Sequence, residues 1–275
     1  MNEIPKILLL DVDGVIWIDH IPVKGAIEAL SRMRKLGIRL VLVTNNCSKT
    51  REQYLKQFEK LGFEGFQADD VFSSGYATVK YLQHNNIHKV FVCGYEGLMQ
   101  ELREHGFEVH NIKTDPEPQP VEAVVISRSE TLSHDEIARG INLIKNYGAK
   151  LIGASPDPNF PMPGGILVCG TGACLKAFEV AVNQDAAVIG KPTKIMFDTV
   201  LKTLNVDRKD VVMVGDRMIT DIAFASQNGA RSILVLSGVD TREDALKYPD
   251  QDRPTWILPS LVEVADMFEE MVQNK

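Results

Sequence analysis

Short runs of consecutive apolar residues alternate along this chain with longer stretches in which apolar positions recur every three or four residues. The runs Ile7–Leu10, Val41–Val43, Val71–Ser73, Lys89–Cys93, Ala123–Ser127, Leu151–Ala154, Ala186–Ile189, Val211–Val214 and Ile233–Leu236 read as buried strands. Between them, Ile27, Leu30, Met33 and Leu36 are spaced for one helix face, and Gly37 ends that helix. Thr50-Arg51-Glu52-Gln53 fits a capping box, followed by the stripe Tyr54, Phe58 and Leu61 and a stop at Gly62. A second capping box stands at Ser133-His134-Asp135-Glu136. Further helices are expected through Val79–Leu82, after Pro192 in a first helical turn, and around Leu261–Met267. Strands alternating with helices predict an α/β fold with a mostly parallel sheet covered on both faces.

The stretch 83–184 carries its own strand and helix alternation, broken by the proline-rich loop Thr114-Asp115-Pro116-Glu117-Pro118-Gln119-Pro120. It reads as an α/β cap domain inserted into a core made of residues 1–82 and 185–275.

The chemistry concentrates where strands end. Asp11 and Asp13 directly follow the first strand, and ligands of open α/β sheets bind outside the carboxyl ends of strands. Two such acids left dry and ionised would repel, so a divalent cation, a shared proton or both are expected beside them. Gly14 then permits a sharp turn. Three further groups stand at comparable places: Thr44-Asn45-Asn46 after the second strand, Gly190-Lys191-Pro192, and Gly215-Asp216 continuing to Asp221. Thr44 offers a hydroxyl, and Asn45 and Asn46 offer backbone N–H groups, as a phosphate dianion requires.

In kind and order these motifs resemble the haloacid dehalogenase superfamily. The likeness is to its phosphatase branch, subfamily IIA with a C2-type cap, as in pyridoxal phosphate, phosphoglycolate and 4-nitrophenyl phosphate phosphatases. It spans nearly the whole chain and implies a Rossmann-like core. It also implies a magnesium-dependent phosphatase acting on a small phosphomonoester through an aspartyl-phosphate. On this resemblance Asp11 is the nucleophile, and Asp13 protonates the leaving oxygen and later deprotonates water. An acid at Asp13 favours an oxygen leaving group over halide. The Asp11 carboxylate, the Asp13 backbone carbonyl and Asp216 are the expected Mg2+ ligands, with Asp221 holding metal-bound water or orienting Lys191. Thr44, Asn45, Asn46 and Lys191 would bind the phosphoryl group. A phosphotransferase or mutase could use the same motifs. A receiver-like module also gathers acids, a Thr and a Lys, but such modules are much shorter and lack a cap.

The cap departs from the family's pattern. The Thr-Asn-x-Asp run of relatives appears here as Ala154-Ser155-Pro156-Asp157-Pro158, Pro-Gly-x-Gly as Cys169-Gly170-Thr171-Gly172, and Gly-x-Asp as Ser127-Arg128-Ser129. Asp157 and Arg128 are therefore the candidate specificity residues, Arg128 for a second anionic group.

Composition narrows the partners. A net charge of −7 with no long basic run argues against a nucleic-acid surface, and no apolar run approaches a membrane span. The N-terminal stretch lacks the apolar segment of a signal peptide, so a cytoplasmic location is expected. The expected partner is a small phosphorylated metabolite; a homo-oligomer stays open. The four cysteines Cys47, Cys93, Cys169 and Cys174 show neither Cys-x-x-Cys nor zinc spacing, and Cys47 is expected to be a buried, inert thiol.

Overall fold

A computed structural model describes residues 4–115, 117, 119–129, 131–162 and 166–274. The chain divides into two compact units: residues 1–44, 52–72 and 191–275, and residues 45–51 with 73–190.

The first unit is built on a six-stranded sheet. Its strand order is Trp256–Leu258, Arg231–Val235, Val211–Gly215, Ile7–Leu10, Arg39–Thr44, Val71–Ser73. Ile7–Leu10 lies centrally, pairing in parallel with Val211–Val214 on one side and Arg39–Leu42 on the other. Each of its four residues is buried, as expected for a strand covered on both faces. The carboxyl ends of three neighbouring strands therefore open at one edge, where Asp11 and Asp216 follow two of the ends and Thr44 is the last residue of the third strand.

Helices Ala26–Lys35 and Leu261–Gln273 pack on this sheet. The buried stripe of the former is Ala26, Ala29, Leu30 and Met33; Ile27 is 42% exposed, a correction to the expected face. Small alanines let the helix lie close to the sheet, which rotates Ile27 outwards. The helix after Lys191 begins at Lys194 behind Thr193, so Pro192 stands before it rather than in its first turn. The final helix extends well beyond Met267.

The second unit has its own five-stranded parallel sheet, ordered Ala187–Val188, Lys150–Gly153, Ala123–Ile126, Lys89–Cys93, Glu108–His110. Ala187–Val188 pairs with Ile152–Gly153. The run Ala186–Ile189 thus completes this sheet, where the sequence pattern had the core resuming. Helix Ser74–His84 also groups with this unit, which is wider at both ends than residues 83–184. Helix His134–Tyr147 starts where expected, with the Ser133 hydroxyl accepting from the Glu136 N–H at 3.1 Å. Pro116 and Pro118 of the proline-rich loop lie outside the described residues.

Within the second unit, the segment that follows Thr44 is anchored through a buried carboxylate. Glu101, on helix Glu96–Glu104, is 1% exposed; it accepts from the Arg51 backbone N–H at 2.8 Å and from Arg51 Nε at 3.1 Å. The guanidinium also lies 3.7 Å from the Tyr76 ring centre. Removing one partner of such a buried pair leaves the other charge uncompensated. Glu101→Ala should therefore lower unfolding free energy by about 3 kcal/mol, read from urea denaturation, whereas Glu52→Ala in the exposed Glu52–Lys56 pair should be nearly silent.

Candidate active site

The centre of the first unit's site is an ammonium group. Lys191 is 2% exposed, and its Nζ donates to Asp11 Oδ1 at 2.7 Å, to Asp221 Oδ1 at 2.6 Å and to the Val43 carbonyl at 2.8 Å. These use all three donors of the ammonium. The lysine is thus held on two carboxylates and on the carbonyl of the residue before Thr44. Burial works against its charge, but Asp11 and Asp221 outweigh burial and hold the ammonium protonated well above the usual lysine range.

Asp216 completes a group of three buried acids. One carboxylate oxygen from each of Asp11, Asp216 and Asp221 lies within 4.8 Å of the others. The Asp216 Oδ2 accepts from the Val239 N–H at 2.8 Å, while its Oδ1 is buried and has no hydrogen-bond partner. Burial, reinforced by Asp221, pushes the Asp216 carboxyl up to about 7. Burial and then Asp221 also push Asp11 upward, with Lys191 opposing them. Three carboxylates against one ammonium leave an excess of negative charge that a hard divalent cation would neutralise, reversing both shifts. An orphaned carboxylate oxygen and an all-oxygen donor set fit Mg2+.

Asp221 accepts from the Arg217 N–H through Oδ2 at 3.1 Å and from Lys191 through Oδ1, so its visible work is to orient the lysine. It is carried on a wide helical turn, Met218–Ile222, pinned by Asp240 accepting from the Met218 N–H at 2.6 Å. Asp13 differs from the other acids: it is exposed, and its Oδ1 accepts from the indole Nε1–H of Trp17 at 2.8 Å. Thr44 is 2% exposed at the end of its strand.

Two segments of the chain match the family models described as haloacid dehalogenase-like hydrolase, over residues 8–108, and HAD-hydrolase-like, over residues 188–264. The chain is 34% identical over 268 residues to glycerol-3-phosphate phosphatase from Homo sapiens, covering 89% of this chain and 83% of that protein. It is 34% identical over 248 residues to chronophin from Mus musculus, covering 88% and 84%. The chain belongs to the haloacid dehalogenase-like hydrolases. Its fold agrees: p-nitrophenyl phosphatase from Archaeoglobus fulgidus superposes with a TM-score of 0.85 at 28% identity, covering 95% of this hydrolase and 98% of that chain.

The remaining expected residues of this hydrolase group with the second unit. The Asn45 carbonyl accepts from the Ser74 hydroxyl at 2.7 Å, and Asn46 Oδ1 accepts from the Ser48 N–H at 3.0 Å, so both hold the local turn. Asp157 Oδ2 accepts from the Ser155 hydroxyl at 2.8 Å, and the Asp157 carbonyl accepts from the Gly172 N–H at 2.8 Å, next to the start of helix Thr171–Val182. The Arg128 guanidinium stacks 3.6 Å from the Phe160 ring centre, which preorganises it. Cys47 is 4% exposed and burial pushes its thiol up, in keeping with an inert core residue. Among the described residues, no helix is long and apolar enough to cross a membrane.

The sequence pattern missed Trp17 and the segment Ser237–Asp240. The latter follows the strand Arg231–Val235, so the strand-end rule that flagged Asp11 pointed at it as well. Ser237 Oγ donates to the Gly14 carbonyl at 2.7 Å, drawing the two turns together around Asp216. A Cβ on either Gly14 or Gly238 would collide with Asp216 Oδ2. Gly238→Ala should thus displace this carboxylate and raise the Mg2+ concentration needed for half-maximal thermal stabilisation about tenfold, followed by melting temperature against added Mg2+.

Proposed function

We propose that this chain works in the cytoplasm as a magnesium-dependent phosphatase, transferring the phosphoryl group of a small phosphomonoester first to Asp11 and then to water. The observation that carries the reading is Lys191 held on Asp11 and Asp221, beside the unpartnered oxygen of Asp216. The lysine fixes the nucleophile's orientation and adds positive charge where phosphoryl oxygens would sit. When bound, Mg2+ supplies further charge neutralisation at the same phosphoryl oxygens, held by Asp11, Asp216 and the Asp13 backbone carbonyl.

In the first step a carboxylate oxygen of Asp11 forms a bond to phosphorus as the ester oxygen departs. Asp13 gives that oxygen its proton. In the second step Asp13 takes a proton from water as it attacks phosphorus, releasing phosphate and restoring Asp11. The hydroxyl of Thr44 and the N–H groups of Asn45 and Asn46 are assigned to the phosphoryl oxygens. The chain is a phosphoric monoester hydrolase of broad resemblance to its relatives, whose names specify glycerol 3-phosphate and p-nitrophenyl phosphate. We assign choice among such esters to the cap, through Asp157 and Arg128.

Asp11→Asn should lower turnover at least ~10³-fold, equivalent to about 4 kcal/mol of barrier, in protein that melts normally. Substantial activity in the folded variant would overturn the nucleophile assignment. Asp157→Ala and Arg128→Ala should reorder rates across a panel of phosphorylated metabolites while changing 4-nitrophenyl phosphate hydrolysis less than about tenfold. An equal fall on every ester would instead assign these two residues a general structural role.

A further inference from the structure

The acid Asp13 is exposed, and an exposed aspartate ordinarily samples several rotamers. Here it is tied to a buried indole. Trp17 is 1% exposed, with its ring 4.7 Å from that of Phe58 and 5.9 Å from that of His20, so its position is fixed by packing. The backbone returns on itself to bring it there: the Gly14 N–H donates to the Trp17 carbonyl at 2.7 Å, and the Ile16 and Trp17 N–H groups both donate to the Val12 carbonyl. The following residues form a two-residue hairpin, Trp17–Ile18 against Ile21–Pro22, whose turn residues Asp19 and His20 both take positive φ. This closes the loop and aims Nε1–H at Asp13 Oδ1, 2.8 Å away.

We propose that Trp17 is a positioning residue for the acid–base step, setting both the direction of the Asp13 carboxyl and the oxygen that carries its proton. An indole nitrogen only donates, so the oxygen facing it must accept. The unprotonated carbonyl oxygen is the stronger acceptor, so this bond favours a proton of Asp13 on Oδ2, the oxygen left to face the departing ester oxygen. The same bond holds the carboxylate that later accepts from water. Without it, Asp13 would spend part of its time turned away, or with its proton on the wrong oxygen, and the gain from preorganisation would fall. The inference rests on the acid–base role proposed for Asp13.

The test replaces Trp17 with 3-benzothienylalanine, which keeps the ring shape and removes the N–H, with Trp17→Phe as a second variant. Each is measured by kcat/KM on phenyl phosphate and on 4-nitrophenyl phosphate, whose leaving group departs without needing a proton, with Asp13 intact and in Asp13→Asn. The benzothienyl variant should lose about tenfold on phenyl phosphate and less than about threefold on 4-nitrophenyl phosphate, with no further loss when added to Asp13→Asn. An equal loss on both esters, or a loss that persists in Asp13→Asn, would show that Trp17 acts only through packing and would overturn the proposal. If Asp13→Asn itself fails to separate the two esters, the acid role falls and the proposal falls with it; a normal Asp13→Asn result with a silent Trp17 analogue refutes the positioning role alone.

Discussion

The site depends on burying one lysine among three carboxylates. Placing Asp11, Asp216 and Asp221 together out of water would be prohibitive without Lys191, whose ammonium is fully spent on Asp11, Asp221 and the Val43 carbonyl. Yet one ammonium does not balance three acids. The residual negative charge, and the orphaned Oδ1 of Asp216, make the arrangement incomplete in a way that a divalent cation resolves. The same incompleteness has a functional sense. A divalent cation held there would supply the missing electrostatic balance and prepare the site to receive a dianion.

The fold supplies this cluster from far-separated parts of the sequence. Asp11 follows the central strand, Asp216 follows its parallel neighbour, and Val43 lies near the end of the neighbour on the other side. Parallel pairing puts all three strand ends at one edge, so register alone aligns groups some two hundred residues apart in the chain. Around them, close approach is bought with missing side chains: Gly14 and Gly238 leave the space that the Asp216 carboxylate fills. Asp13 is handled differently, as an exposed group steered by the buried Trp17 rather than enclosed.

Much of this was legible from residue order because strand ends announce themselves. Asp11, Lys191, Asp216 and Asp221 each stand beside a readable strand or helix start, and they meet in the first unit. What escaped notice lacked a periodic signal. A strand as short as Ala187–Val188 has too few residues for its pattern to say which sheet it joins, and only its pairing with Ile152–Gly153 decides that. The hairpin Asn159–Met162 with Ile166–Cys169 contains Pro161, which reads against a strand. Trp17 looks like one more core aromatic, since a hydrogen bond from its indole depends on a local backbone reversal that composition does not disclose. Likewise Ile27 fits a helical stripe by spacing, but the alanines at positions 26 and 29 choose the buried face.

The central claim is that Asp11 carries the phosphoryl group. Enzyme quenched during steady turnover of 4-nitrophenyl phosphate with Mg2+, then treated with borohydride, reports this directly, because an aspartyl-phosphate is reduced to homoserine whereas a free carboxylate is not. Peptide mass spectrometry should find homoserine at position 11, and none when substrate is omitted. Reduction at position 13 or 216 instead, or release of phosphate with no reducible aspartate at any of these positions, would contradict the account.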